Sequence, residues 1–246
     1  MSKRGFLTFA IAFVLAVVRP LAAATPEEVR AWLREVDAVR QPYPQAVISV
    51  RQTERVGGVV RSVDEFDLYV KGRDRALVVF TGGKQTGRKI LIVGEKMWLI
   101  LPNAHPVPIS PQQRIMGAAA LSEAARFRAA DDYEASVRAE EEEQGGHRCR
   151  VVDLAARSPK SRYSRIELWI DARHLPRKAR FYLPSGRQAQ EIVFLRFEEK
   201  GGRTLLAEME CHDLLAPGAG LTRTLEYLRY RPARIDDSVF TLQGAR

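Results

Sequence analysis

Residues 163–171 read Tyr-Ser-Arg-Ile-Glu-Leu-Trp-Ile-Asp, and the alternation in this stretch decides the fold class. Ile166, Leu168 and Ile170 fall on one face of a strand, because successive side chains of a strand point to opposite faces. The stretch 66–70 repeats the pattern with Phe, Leu and Val at alternate positions. Strands with one apolar and one polar face are typical of antiparallel sheets that are covered on one side.

Tight-turn signals divide most of the chain into such strands. Glycine pairs at 57–58, 82–83, 145–146 and 201–202, together with Pro-Ser-Gly at 184–186, separate runs of strand length. The first block of strands is predicted at 46–55, 59–70, 75–81, 88–93 and 96–101. The second is predicted at 133–141, 148–155, 163–171, 177–183, 188–199, 204–213 and 222–231, followed by a short helical turn at 236–240.

Two helices are expected beside these strands. Residues 25–28 read Thr-Pro-Glu-Glu, a capping box with proline at the first helical position, and apolar residues then recur at helical spacing to Val39. The segment 102–132 interrupts the strands. Its prolines argue against regular structure at 106–111, and a helix is predicted at 112–127. The fold class is therefore α+β and mostly β, a large curved antiparallel sheet with few helices to cover it.

Residues 1–24 have the pattern of an export signal. Lys3 and Arg4 precede an apolar run at 6–18, and Ala22-Ala23-Ala24 gives a peptidase site. The run is shorter than the roughly 20 residues that span a bilayer, although an uncleaved anchor is the alternative. No cysteine stands at the cleavage site for lipidation. We expect a single domain at 25–246 in the periplasm, without ATP or reduced nicotinamide.

Charge and cysteine content leave two questions open. The net charge is +9, and residues 1–24 hold three basic and no acidic residues, which leaves +6. The basic residues are spread along the chain instead of clustered, which argues against nucleic-acid binding and favours solvated strand faces or attraction to anionic headgroups or an acidic partner. Cys149 and Cys211 are either a disulfide pair or two small core residues.

Motifs for catalysis, metals and cofactors do not emerge. The four histidines, at 105, 147, 174 and 212, have no partner at metal-ligand spacing. Residues 82–89 resemble a phosphate-binding loop but lack its Gly-Lys-Ser/Thr and precede a strand. Asp131 and Asp132 are adjacent, so in a strand they would point to opposite faces and could not act together as acid and base. We therefore predict no enzyme, no metal and no cofactor.

Two runs are apolar at every position and suggest a cavity wall. These runs are Met-Trp-Leu-Ile-Leu at 97–101 and Ile-Val-Phe-Leu at 192–195. A strand that is apolar on both faces is either packed between two layers or lines a cavity. The scarcity of helices favours the cavity, while the core reading stays open for any one strand.

The order of these segments resembles the LolA-like outer-membrane lipoprotein-sorting family, over most of residues 25–246. The resemblance rests on Gly-Arg-Lys-Ile-Leu at 87–91, Lys-Met-Trp-Leu-Ile-Leu-Pro at 96–102, the stretch 163–171, and Ile-Asp-Asp-Ser-Val-Phe at 235–240. The chain departs from the family's pattern at 131–132, where an acidic motif is reduced, and at 183–186, which reads Leu-Pro-Ser-Gly where an acidic turn is more usual.

The resemblance implies an unclosed β-barrel of the LolA/LolB type, capped by helices over a hydrophobic cavity. It implies a periplasmic carrier that shields the acyl chains of a lipid or lipoprotein, with an inner-membrane transporter and an outer-membrane acceptor as partners. A sensor that uses the same fold and reports to a membrane partner is the alternative. On this view seven residues line the cavity: Phe66, Leu68, Trp98, Ile100, Leu168, Ile170 and Phe194. Five residues form its lid, within the first helix and the insertion: Trp32, Leu33, Ile115, Met116 and Leu121.

Overall fold

The computed structural model describes residues 24–109, 128–159, 161–215 and 220–245. Within these ranges the chain is dominated by strands. They are β1 (Gln45–Val56), β2 (Val59–Lys71), β3 (Arg75–Gly82), β4 (Lys89–Val93), β5 (Lys96–Ile100), β6 (Val107–Ile109), β7 (Tyr133–Gln144), β8 (His147–Ala156), β9 (Arg165–Asp171), β10 (Pro176–Tyr182), β11 (Gln188–Lys200), β12 (Arg203–Asp213) and β13 (Leu221–Pro232). The helices are α1 (Pro26–Arg40), α2 (Ala129–Asp132) and a terminal 3₁₀ turn, Asp237–Phe240.

All of the described strands belong to one antiparallel sheet. Their order is β6-β5-β4-β3-β2-β1-β13-β12-β11-β10-β9-β8-β7. Two meanders of sequential hairpins thus meet where β1 pairs with β13, from Ala46 opposite Pro232 to Val56 opposite Leu221. The edge strands are β6 and β7, and residues 110–132 connect them along the chain. This large unclosed sheet confirms the predicted fold class.

Helix α1 begins as the sequence predicts. The amide of Glu28 donates to the Thr25 hydroxyl at 3.3 Å, and the Glu28 carboxylate accepts from the Thr25 amide at 2.7 Å. These two bonds satisfy donors that a helix N-terminus otherwise leaves free. The apolar stripe of α1 is buried, and the helix lies against β7, β12 and α2. We call this side of the sheet the inner face.

The opposite side, the outer face, has its own small core over β1 to β5. The C-terminal residues 233–245 cross this side and pack on the strands, with Phe240 and Ile235 at the centre. Lys71 Nζ donates to the Ile235 carbonyl at 2.8 Å and lies 2.5 Å from Asp237. The terminal helical turn predicted at 236–240 therefore belongs to the segment that covers this half of the sheet.

Two short elements differ from the sequence prediction. Prolines argued against regular structure at 106–111, yet β6 contains Pro108 opposite Trp98. Proline is tolerated there because an edge strand can leave one side without hydrogen bonds. Residues 129–132 form α2, where no helix was predicted. The helix predicted at 112–127 and residues 1–23 of the export signal lie outside the described residues.

Candidate functional site: the apolar inner face

Five of the seven predicted cavity residues lie together on the inner face. Strand β2 supplies Phe66 and Leu68, β9 supplies Leu168 and Ile170, and β11 supplies Phe194. All five belong to the same cluster as the buried stripe of α1. Each is at most 5% exposed, so the inner side of these strands is covered. The inner face is thus a continuous apolar wall that runs across both meanders.

Trp98 and Ile100 are not part of this wall. Both belong to the outer-face cluster with Phe240 and Ile235. Their neighbour Met97 lies in the inner cluster instead. The prediction placed the pair on the wrong side because 97–101 is apolar at every position, so alternation could not indicate which face is which. Ile100 also borders a surface pocket of about 390 Å³ on the outer side.

Helix α1 contributes one buried and one peripheral residue of the predicted lid. Leu33 is 1% exposed and lies in the inner cluster. Trp32 lies at its margin, where its ring stacks on His174 at 5.3 Å and the Arg150 guanidinium lies 4.7 Å from the ring centre. His174 Nδ1 is 3.0 Å from a carboxylate oxygen of Glu35. Trp32 and Glu35 of α1 are therefore held by Arg150 of β8 and by His174, which lies between β9 and β10.

The remaining lid residues, Ile115, Met116 and Leu121, lie outside the described residues. The chain resumes at α2, and Asp37 of α1 binds it there. Its two carboxylate oxygens accept from the amides of Ala129 and Ala130 at 3.0 and 3.2 Å. Burial raises the pKa of Asp37, and the charge of Arg40 offsets only part of this effect. The Asp37 carboxylate thus joins α1 to α2, the short helix that directly precedes β7.

Polar groups interrupt the apolar wall at a few positions that the sequence reasoning missed. The Tyr230 hydroxyl donates to the Leu206 carbonyl at 2.7 Å, and the Tyr163 hydroxyl donates to Gln190 Oε1 at 3.4 Å. Gln52 Oε1 and Gln190 Nε2 are buried without a hydrogen-bond partner. Gln52 occupies an inner-face position of β1, which the alternation of that strand could have indicated. Burial raises the pKa of Tyr230, so its hydroxyl stays neutral at physiological pH.

The two cysteines are free thiols on opposite faces of the sheet. Cys211 lies in the inner cluster, and Cys149 packs against Val151 and Trp169 on the outer side. The disulfide alternative is therefore wrong for this structure, and the core alternative describes both residues. Burial raises the pKa of Cys149 to about 11. Such a thiol is inert at neutral pH because the thiolate is the reactive form.

Metal sites and membrane-spanning helices are absent from the described ranges. No group of three His, Cys, Asp or Glu side chains there is placed to hold a metal ion. In the same ranges, none of the helices has the length and apolar character to cross a membrane.

Comparison with solved structures defines the fold. A LolA superfamily protein from Nitrosomonas europaea matches with a TM-score of 0.75 at 23% identity, over 89% of this chain and 98% of that one. A DUF1329 family protein from Desulfovibrio piger matches with a TM-score of 0.75 at 18% identity, over 90% and 99%. A Vibrio parahaemolyticus domain assigned to outer membrane lipoprotein sorting matches with a TM-score of 0.72 at 17% identity, over 89% and 98%. The chain has the LolA superfamily fold.

The sequence also matches a family model over most of its length. A family model described as "Uncharacterized protein" matches residues 72–244, and the chain belongs to that family. A comparison with curated proteins finds no significant match.

Proposed function

We propose that this protein is a periplasmic carrier that shields acyl chains of a lipid or lipoprotein and passes them to a membrane partner. The observation that carries the proposal is the continuous apolar inner face, which extends over both meanders and is covered by α1. The LolA superfamily fold supports it, as does the export pattern of residues 1–24. An inner-membrane transporter as donor and an outer-membrane acceptor are the partners that such a carrier requires.

The energetics of an acyl chain explain why a carrier is needed. Burying one methylene is worth about 0.8 kcal/mol, so a 16-carbon chain gains on the order of 10 kcal/mol when it leaves water. A lipid crosses an aqueous compartment slowly at that cost unless a protein covers the chain. The same gain opposes release, so the carrier needs an acceptor or a movement of its cover.

The buried state of the wall indicates how loading would occur. Phe66, Leu168 and Phe194 are buried and belong to the same cluster as the apolar side chains of α1. An acyl chain reaches them only if α1 shifts from the sheet or the side chains repack. Contacts of Trp32 and Glu35 with His174 lie at the margin of α1, where such a shift would begin.

The test is binding of a fluorescent fatty acid to delipidated protein. We expect saturable binding at micromolar affinity or better, with displacement by palmitate. No binding at these concentrations would contradict the proposal.

Two matched variants locate the site. Phe194→Ala and Phe240→Ala remove the same side chain from equally buried positions on the inner and outer faces, at 5% and 4% exposure. We expect Phe194→Ala to change the affinity for the probe at least threefold and Phe240→Ala to leave it unchanged. Equal effects of the two substitutions would place the ligand elsewhere.

A further inference from the structure

The tip of the β1–β2 hairpin exposes more apolar surface than its surroundings. Val56, Val59, Val60 and Val63 are 36%, 60%, 51% and 45% exposed. They flank the turn at 57–58 within only eight residues of chain. Scattered exposed apolar residues are ordinary on a protein surface, but a cluster within one hairpin calls for a partner. We call residues 56–63 the hairpin tip.

The hairpin tip extends past its neighbour in the sheet. Strand β2 begins at Val59, but its pairing with β3 begins only at Glu65, opposite Gly82. On the other side, β1 is paired with β13 as far as Val56. The stretch 59–62 therefore extends past the end of β3, while the β3–β4 turn lies against its base, where the Gln85 amide donates to the buried Asp64 carboxylate at 3.1 Å. Apolar side chains that cluster on a protruding hairpin mark a site of association.

Cations surround the hairpin tip. Arg61 lies within it, Arg55 directly precedes it, and Lys84 of the β3–β4 turn donates to the Arg61 carbonyl at 3.1 Å. Arg55 donates to the hydroxyl of Thr224. In the described part of the chain, no carboxylate lies within ion-pair distance of Arg55, Arg61 or Lys84. The hairpin tip thus combines exposed apolar side chains with three nearby cations, and the one carboxylate at its base, Asp64, is buried against the β3–β4 turn.

We propose that the hairpin tip docks on the surface of an anionic phospholipid membrane. Such a surface offers an apolar layer to the valines and negative charge to the three cations at the same time. The turn at 57–58 carries backbone groups that need water or headgroups as partners, so the tip lies at headgroup depth and does not cross the bilayer. Docking would bring the carrier to a bilayer independently of what its inner face holds.

Vesicle co-sedimentation of the protein tests this inference. We expect binding to vesicles of phosphatidylcholine and phosphatidylglycerol at three to one, and much weaker binding to phosphatidylcholine alone. Binding should weaken as salt rises from 0.1 to 0.5 M, because the added ions screen the charges. No binding to the anionic vesicles, or equal binding to both kinds, would overturn the proposal.

Two variants and a matched control locate the contact. Val59→Ser combined with Val60→Ser, and Arg61→Ala combined with Lys84→Ala, should each lower the partition coefficient by on the order of tenfold. Val107→Ser is the control, because Val107 is 48% exposed but lies on β6. If the control weakens binding as much as the tip variants do, the proposal is wrong.

The fluorescent fatty acid separates this inference from the carrier proposal. Both tip variants should bind the probe with unchanged affinity, which also shows that they are folded. A protein that docks on vesicles but binds no probe would contradict the carrier proposal alone. A protein that binds the probe but ignores anionic vesicles would contradict the docking proposal alone.

Discussion

The two halves of the sheet cover their outer faces with different chemistry. Over β1 to β5, the C-terminal residues 233–245 lay an apolar cover on the strands. Over β7 to β11, long charged side chains of the strands themselves cover the face. The inner face is apolar on both halves, so the difference concerns only the side away from α1.

Glu167 is the centre of the charged half. Its carboxylate accepts from the Tyr182 hydroxyl at 2.7 Å and from Arg138 at 2.5 Å, and Arg165 lies 3.2 Å away. Trp169, two residues further along β9, is 1% exposed, with Lys178 5.4 Å from its ring centre. Aliphatic stems of the charged side chains thus exclude water from an indole ring while their ends stay near solvent. A sheet therefore needs no separate layer where its own side chains are long and paired.

The largest effect is expected in the apolar half. Phe240→Ala should lower the free energy of unfolding by about 3 kcal/mol, because it removes a buried ring and leaves a cavity. Chemical denaturation measures the loss, and 0.1 to 0.5 M salt should not change its size. Leu242→Ala is the control, since Leu242 is 37% exposed and should alter stability by less than about 0.5 kcal/mol. If Phe240→Ala costs no more than Leu242→Ala, the C-terminal segment is not a cover.

A smaller effect is expected at the centre of the charged half. Glu167→Gln keeps the shape but removes the charge, and should lower the free energy of unfolding by about 2 kcal/mol. A fully buried pair would lose more, but the side chains of Arg138 and Arg165 are 34% and 47% exposed and can recover water. The same denaturation series measures it. A loss that equals that of Phe240→Ala would mean that the charged half is as dry as the apolar one.

Lowering the pH should reduce the stability contributed by the charged half more than that contributed by the apolar half. Burial raises the pKa of Glu167, but hydrogen bonds from Tyr182 and Arg138 outweigh burial and leave this pKa below its usual value. A carboxylate with a lowered pKa stabilises the fold above the pKa of the unfolded chain, about 4.3, and this contribution is lost as pH falls through the folded value. Stability should therefore fall steeply below about pH 4 in the wild type and in Phe240→Ala, and less steeply in Glu167→Gln. If stability falls equally steeply with pH in all three proteins, Glu167 does not contribute to the acid sensitivity.

Alternation in the sequence predicted the sheet and most of the inner wall, but not the two outer covers. The stretch 163–171 predicts that Glu167 and Trp169 share the face opposite Leu168, and they do. Their burial depends on arginines from β7 and β10, which no local pattern connects to β9. Trp98 and Ile100 show the converse limit, since a run that is apolar at every position has two apolar faces and does not indicate which one α1 covers. The segment 235–240 resembled the family's terminus, but its place over β3 and β4 depends on long-range packing.

The smallest effect is expected for a charged pair that covers nothing. Arg148 pairs with Glu141 near the β7–β8 turn, and its side chain is 86% exposed. Arg148→Ala should change the free energy of unfolding by less than about 0.5 kcal/mol, because an exposed pair loses in side-chain entropy and screening what it gains in attraction. Denaturation at low and high salt measures this against Glu167→Gln. A loss near 2 kcal/mol would mean that ion pairs stabilise this half wherever they occur. A negligible loss would restrict the stabilising effect to the pairs that cover β9, where the charged side chains exclude water from the Trp169 ring.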